Sequence, residues 1–185
     1  MSEKKKKNTL FRKFLKKLFD IGVFLLIVLA ISYGVSTYLV VRITVHNVSM
    51  QDTLQEGDMI LMDKVVYRIR DPKRYDIICF NSTSEREGLI KRIIAVPGEK
   101  VQITEGMIFI NGNQVKDVEG LQKIEDPGLA SSEIHLGEDE YFVIGDNREK
   151  SIDSRSPEIG NIKKGDILGQ AKVRIYPFNR IGLVK

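Results

Sequence analysis

GLIKRIIAVPGE, residues 88–99, sets one lysine and one arginine into a run that is otherwise strongly apolar. The pattern predicts a strand over 89–96, stopped by Pro97-Gly98. In a strand, residues two apart share a face. Leu89, Lys91, Ile93 and Ala95 then line one face, and Ile90, Arg92, Ile94 and Val96 the other. Lys91 is therefore set among apolar side chains, where a lysine is costly unless its neutral form is useful. The alternative is a lysine at a sheet edge, reaching to water.

The same β character continues on both sides. Before this run, MILMDKVVY (59–67) and DIICF (76–80) read as strands, and 81–88 as a polar loop. After it, 100–104 alternates as a strand. MIFINGNQV (107–115) carries Asn111-Gly112 between apolar flanks, a strong hairpin signal. Residues 117–136 are weakly patterned and read as an exposed loop with a turn at Asp126-Pro127-Gly128. EYFVIG (140–145) and ILGQAKVRI (167–175) are further strands. No long amphipathic helix and no repeat follow residue 42, so the expected domain, 42–185, is mainly β, built of short strands and Gly/Pro turns.

The sequence pI of about 9.1 suggests a nucleic-acid partner until the charge is located. Residues 1–20 hold eight Lys and Arg, from Lys4 to Lys17, against Glu3 and Asp20, a net of +6 in a chain whose total is +4. The remainder is slightly acidic, and the basic character is a tail. Directly after it, residues 21–41 carry no charge. A helix of that length spans the roughly 30 Å of a bilayer's hydrocarbon, and it is longer than the apolar region of a cleavable signal. The expectation is a cytoplasmic basic tail (1–20), an uncleaved anchor (21–41) and an outer domain (42–185). Positive charge on the N-terminal side keeps that side in the cytoplasm. The partner of the tail is lipid rather than nucleic acid. One cysteine, Cys79, excludes an internal disulfide and reads as a small buried hydrophobe.

Two further stretches carry chemistry. VHNVSMQDTL (45–54) places Ser49 just beyond the apolar span, and IGDNREKSIDSR (144–155) is dense in turn formers and paired charges. A serine hydroxyl attacks a peptide only when a base takes its proton. His46 is too near Ser49 in the chain to fold back, and His135 lies in the weakly patterned region. Lysine serves if it is neutral, which requires lowering its pKa by about three units, roughly 4 kcal/mol that burial supplies. Ser151 can orient such an amine, while Asp146 or Asp153 can pair with Arg92 or Arg155 and brace the loop. No cluster has metal-ligand spacing, and no cofactor is implied.

Ser49-Met50-Gln51-Asp52-Thr53-Leu54, Lys91-Arg92 with Val96-Pro97-Gly98, and Gly145-Asp146-Asn147-Arg148 through Ser151 to Asp153-Ser154-Arg155 together resemble the type I signal peptidase family in its short, single-anchor, Gram-positive-like form. The resemblance implies a mainly β Ser/Lys catalytic domain on the outer face of the cell membrane. Its substrates would be exported precursors, cut after small residues of the Ala-x-Ala type. It implies Ser49 as nucleophile and Lys91 as general base, with Ser151 orienting the lysine. Asp146, Arg92, Asp153 and Arg155 would brace the site. Asn47 would be an oxyanion donor beside the Ser49 N–H, and Met50 would face substrate or membrane. Only a hairpin extension is expected between the lysine strand and the charged loop. The family usually has proline where this chain has Asp52, so Asp52→Pro is expected to be accepted, provided φ there is near −65°. Two other functions compete. One is a signal-peptidase-like accessory protein assisting assembly of exported, pilus-type surface proteins, which needs the fold but not the dyad. The other is a self-cleaving regulator of DNA-damage genes, which needs a DNA-binding segment in place of 1–42.

Overall fold

A computed structural model describes residues 2–82 and 88–184, with side chains from residue 12 onward except those of 35–38. The chain forms two compact units, Met1–Leu39 and Val40–Lys185.

The first unit is one helix, α1 (Ser2–Tyr38), so the basic tail and the apolar run are continuous. From 21 to 34 its described side chains carry no charge, and Phe24, Leu26, Leu29 and Ile31 are each more than half exposed. That stretch is about 21 Å long at 1.5 Å per residue. Among the described residues no helix is long and apolar enough to cross a membrane. Val40 and Val41, which the apolar run included, belong instead to a strand of the second unit.

The second unit is mainly β, as expected. Its strands are β1 (Val40–Thr44), β2 (Met59–Asp63), β3 (Ile77–Phe80), β4 (Leu89–Ala95), β5 (Lys100–Thr104), β6 (Met107–Ile110), β7 (Asn113–Gln114), β8 (Ile134–His135), β9 (Glu140–Ile144), β10 (Ile162–Lys163), β11 (Ile167–Tyr176) and β12 (Gly182–Leu183). The larger antiparallel sheet runs β1-β2-β11-β3-β4-β9-β10, with β12 on β11. The smaller runs β7-β6-β5-β8. The interval after the lysine strand is thus a four-stranded sheet rather than a hairpin alone. The Asn111-Gly112 signal holds: both residues have positive φ, +50° and +77°, as a tight β6–β7 turn demands. The stretch 117–136 is not simply an exposed loop, because Ile124, Ala130 and Leu136 are buried against β5 and β6 neighbours such as Val101 and Ile108.

The stretch 59–67 is not one strand. The Asp63 carboxylate accepts the N–H groups of Val65 and Val66, ends β2 and turns the chain into a short helix, α2 (Val66–Ile69). The polar loop expected over 81–88 falls largely on 83–87, outside the described residues.

All seven residues of β4 are buried, because the strand is central and covered on both faces. Ile90 packs with Met50, Leu54 and Cys79; Leu89 and Ile93 pack with Ile78, Phe80 and Val143; Ile94 and Ala95 join the core of the smaller sheet. Ala95 leaves the Leu89–Ile93 face because the register with β9 slips between Ile93 and Ala95. The sheet-edge alternative for Lys91 is excluded.

The loop that carries Ser49 is wound as a turn, with Gln51 N–H on Val48 O and Leu54 N–H on Met50 O. Buried Asp58 ties it down by accepting from Gln55 N–H, Arg174 Nη1 and Arg180 Nη2. Within this turn Asp52 has φ of +94°. The condition for proline is not met, and the expectation for Asp52→Pro is reversed: a ring that locks φ near −65° cannot follow this chain path. Asp52→Pro should destabilise the protein by about 3 kcal/mol or more. Asp52→Gly should stabilise it by up to about 1 kcal/mol, since glycine carries no Cβ penalty at positive φ. Urea unfolding of the two full-length variants checks both signs.

Candidate active site

Ser49, Lys91 and Ser151 come from three separate segments, and Gly145 is where they meet. The β4–β9 ladder pairs Arg92 with Ile144 and Ile93 with Val143, so one further step brings Lys91 opposite Gly145. A Cβ on Gly145 would lie 2.2 Å from Ser151 Oγ and 2.4 Å from the Ser49 carbonyl oxygen. Only glycine fits between them. Lys91 is 2% exposed and Ser49 5% exposed.

The loop after Gly145 grips the Ser49 segment. Asn147 N–H donates to Ser49 O at 3.0 Å, and Asn147 Nδ2 donates to Val48 O at 3.1 Å. Ser49 Oγ donates to Asn47 Oδ1 at 2.8 Å, so the Asn47 side chain stands beside the hydroxyl with its carbonyl end toward it. Ser151 Oγ is buried without a hydrogen-bond partner, so the orienting bond expected from it to Lys91 is not formed in this conformation.

Asp146 binds Arg92 through two bonds, Nε–Oδ1 at 2.8 Å and Nη2–Oδ2 at 2.7 Å, and also accepts from Thr53 Oγ1. This buried fork joins β4, the charged loop and the turn after Ser49. A second fork joins Arg155 to Asp153, whose Oδ2 also accepts Gly145 N–H at 3.0 Å. Burial alone would push the Asp153 carboxyl up, but Arg155 and Gly145 N–H outweigh it and hold the group below its usual range. Its stabilising effect is thus present above the ordinary carboxylate pKa and is lost as pH falls through the lower folded value.

Met50 corrects an expectation. It is fully buried in the core with Val45, Leu54, Ile60 and Ile90, not turned toward substrate or membrane, because the tight turn at Ser49 folds its neighbour inward. Cys79 is buried, its thiol pushed up to about 12 by burial, which makes it inert packing. His46 is exposed, and His135 is exposed on Glu133. Among the described residues no group of three His, Cys, Asp or Glu can hold a metal ion.

Several contributors were not expected. Asn147 and Gly145 stood in the charged run without assigned roles. Thr53, Asp58, Arg174 and Arg180 had no local signal, since their contacts span 93 to 122 residues. Arg148, also in the run, is buried with Nη2 on Asp117 Oδ1 at 2.8 Å, and burial lowers its pKa.

The family model "Signal peptidase, peptidase S26" matches residues 18–176. The chain belongs to this family. It is 31% identical over 171 residues to a probable signal peptidase I-2 of Synechocystis, covering 89% of this chain and 76% of that one. It is 32% identical over 168 residues to the signal peptidase I of Bacillus amyloliquefaciens, covering 87% and 89%. A crystal structure of a signal peptidase I from Enterococcus faecalis aligns with 55% of this chain and 97% of its own, at 30% identity and a TM-score of 0.45. Membership makes the chain a peptidase of the kind that acts on exported precursors with signal peptides.

Gly145 gives the sharpest local test. Gly145→Ala forces a methyl into the Ser49–Ser151 gap and should reduce peptidase activity by about a hundredfold or more, with overpacking costing roughly 1–3 kcal/mol of stability. Precursor processing and thermal unfolding of the same full-length variant separate the two effects.

Proposed function

We propose that the protein is a membrane-anchored signal peptidase in which Ser49 is the nucleophile and Lys91 the general base. The observation that carries this is the convergence at Gly145 of the nucleophile segment, a strand lysine and a buried serine hydroxyl. Desolvation disfavours a charged amine, so a lysine buried in β4 is suited to take the Ser49 proton. The oxygen attacks the scissile carbonyl, and the lysine then returns the proton to the leaving nitrogen. Exposed histidines and the absence of a His contact to Ser49 Oγ among the described residues favour lysine in this role. Asn47 and the Ser49 N–H stabilise the oxyanion. Ser151 orients the amine after a small rotation of its hydroxyl, and the Arg92–Asp146 and Arg155–Asp153 forks hold the loops in register.

The anchor rests on α1. Its apolar side chains are exposed on all sides, which suits lipid, and in sequence the uncharged run continues to Val41. The basic residues before it favour a cytoplasmic N-terminus, with the domain from Val40 on the outer face. Substrates are exported precursors cut after small residues, Ala-x-Ala in type.

Detergent-solubilised full-length protein tests the mechanism with such a precursor. Ser49→Ala and Lys91→Ala should each lower cleavage by about a thousandfold or more without unfolding the domain. Lys91→Arg should fail equally, since a guanidinium does not give up its proton. Substantial cleavage by Lys91→Arg would remove lysine as the base.

A further inference from the structure

A cleft of about 570 Å³ lies beside the site, large enough for a few residues of extended peptide. Ser151 and Arg148 form part of its wall, and Glu125, Asp126, Leu129 and Glu149 complete the part that matters here. The three carboxylate residues are exposed, and Leu129 is 45% exposed. Arg148 is different. Its side chain is 1% exposed, yet Nε and Nη1 have no hydrogen-bond partner. Together with Ser151 Oγ these are the buried side-chain polar atoms without partners among the described residues, and all belong to two residues of this wall. Buried unpartnered donors are costly and call for an acceptor.

The position of the cleft follows from the direction of proton flow, and so rests on the Ser49–Lys91 reading. A base that takes the serine proton must return it to the leaving nitrogen, so the chain beyond the cut lies on the lysine side of the serine. Lys91 stands opposite Gly145, Gly145 abuts Ser151, and Ser151 opens onto the cleft. After cleavage that chain carries a new ammonium at its end. A rim with Glu125, Asp126 and Glu149 attracts it, while backbone carbonyls supply the acceptors that Arg148 lacks.

We propose that this cleft binds the first residues of the exported chain on the far side of the scissile bond, and that its acidic rim selects cationic over acidic residues there. Binding and cleavage test it together, with the full-length protein in neutral detergent at low salt. The probes are the peptides Ala-Lys-Ala-Lys and Ala-Glu-Ala-Glu, free at the N-terminus and fluorescent at the C-terminus, and precursors bearing the same residues after the cut. The lysine peptide should bind about fivefold more tightly, the scale of one exposed ion pair, with kcat/KM following the same order and the gap narrowing as salt rises. In the Glu125→Lys/Glu149→Lys double variant the preference should vanish or invert, while a precursor with neutral residues there is cut as before. Equal binding of the two peptides, or a preference unchanged in the double variant, overturns the proposal. Loss of all precursor cleavage with the peptide preference intact would instead overturn the peptidase mechanism and leave the peptide cleft standing.

Discussion

Two backbones approach at Gly145 more closely than any side chain would permit, and the rest of the site is built around that approach. A Cβ there would overlap both the Ser49 carbonyl and the Ser151 hydroxyl. With hydrogen in its place, Asn147 reaches the Ser49 carbonyl, Asp153 receives the Gly145 N–H, and the strand ladder sets Lys91 across from the same point. The Asn147–Ser49 bond and the β4–β9 ladder join segments far apart in the chain, and the Gly145–Asp153 bond folds the charged loop back on itself at the same point.

Charge is handled in the same economical way. Arg92 and Asp146 are buried together, as are Arg155 and Asp153, and Asp58 is shared by Arg174 and Arg180. Removing one partner of such a pair costs about 3–5 kcal/mol, because the other is left buried and unpaired. These forks pin the turn after Ser49 to β4 and to β11 and the segment after it. Lys91 is buried in the same strand as Arg92, and under the proposed mechanism its burial serves the chemistry.

Much of this was legible in the sequence because local chemistry dictated it. The Pro97-Gly98 stop, the Asn111-Gly112 turn and the apolar runs around Lys91 and before Gly145 each fix an element on their own. What escaped depended on distance or on competition. In 59–67 the apolar and β-branched residues favoured one strand, but the Asp63 carboxylate capped two N–H groups and turned the chain. β7 and β8 are two residues long, too short to show any alternation, so the small sheet read as a hairpin and a loop. Met50 was expected at the surface because it adjoins the candidate nucleophile, yet the tight turn at Ser49 folds it inward and buries it. The partners of Asp58 lie more than a hundred residues away and carry no pattern.

The central claim is that Lys91 is neutral where it works. Selective 13C labelling of the lysine side chains, with Lys91→Arg to assign the resonance, lets the Lys91 Cε shift be followed against pH in the full-length protein. The account predicts a titration well below the ordinary lysine value of about 10.4, near or below neutral pH, while surface lysines titrate normally. A Lys91 resonance that stays charged up to about pH 10 would contradict it.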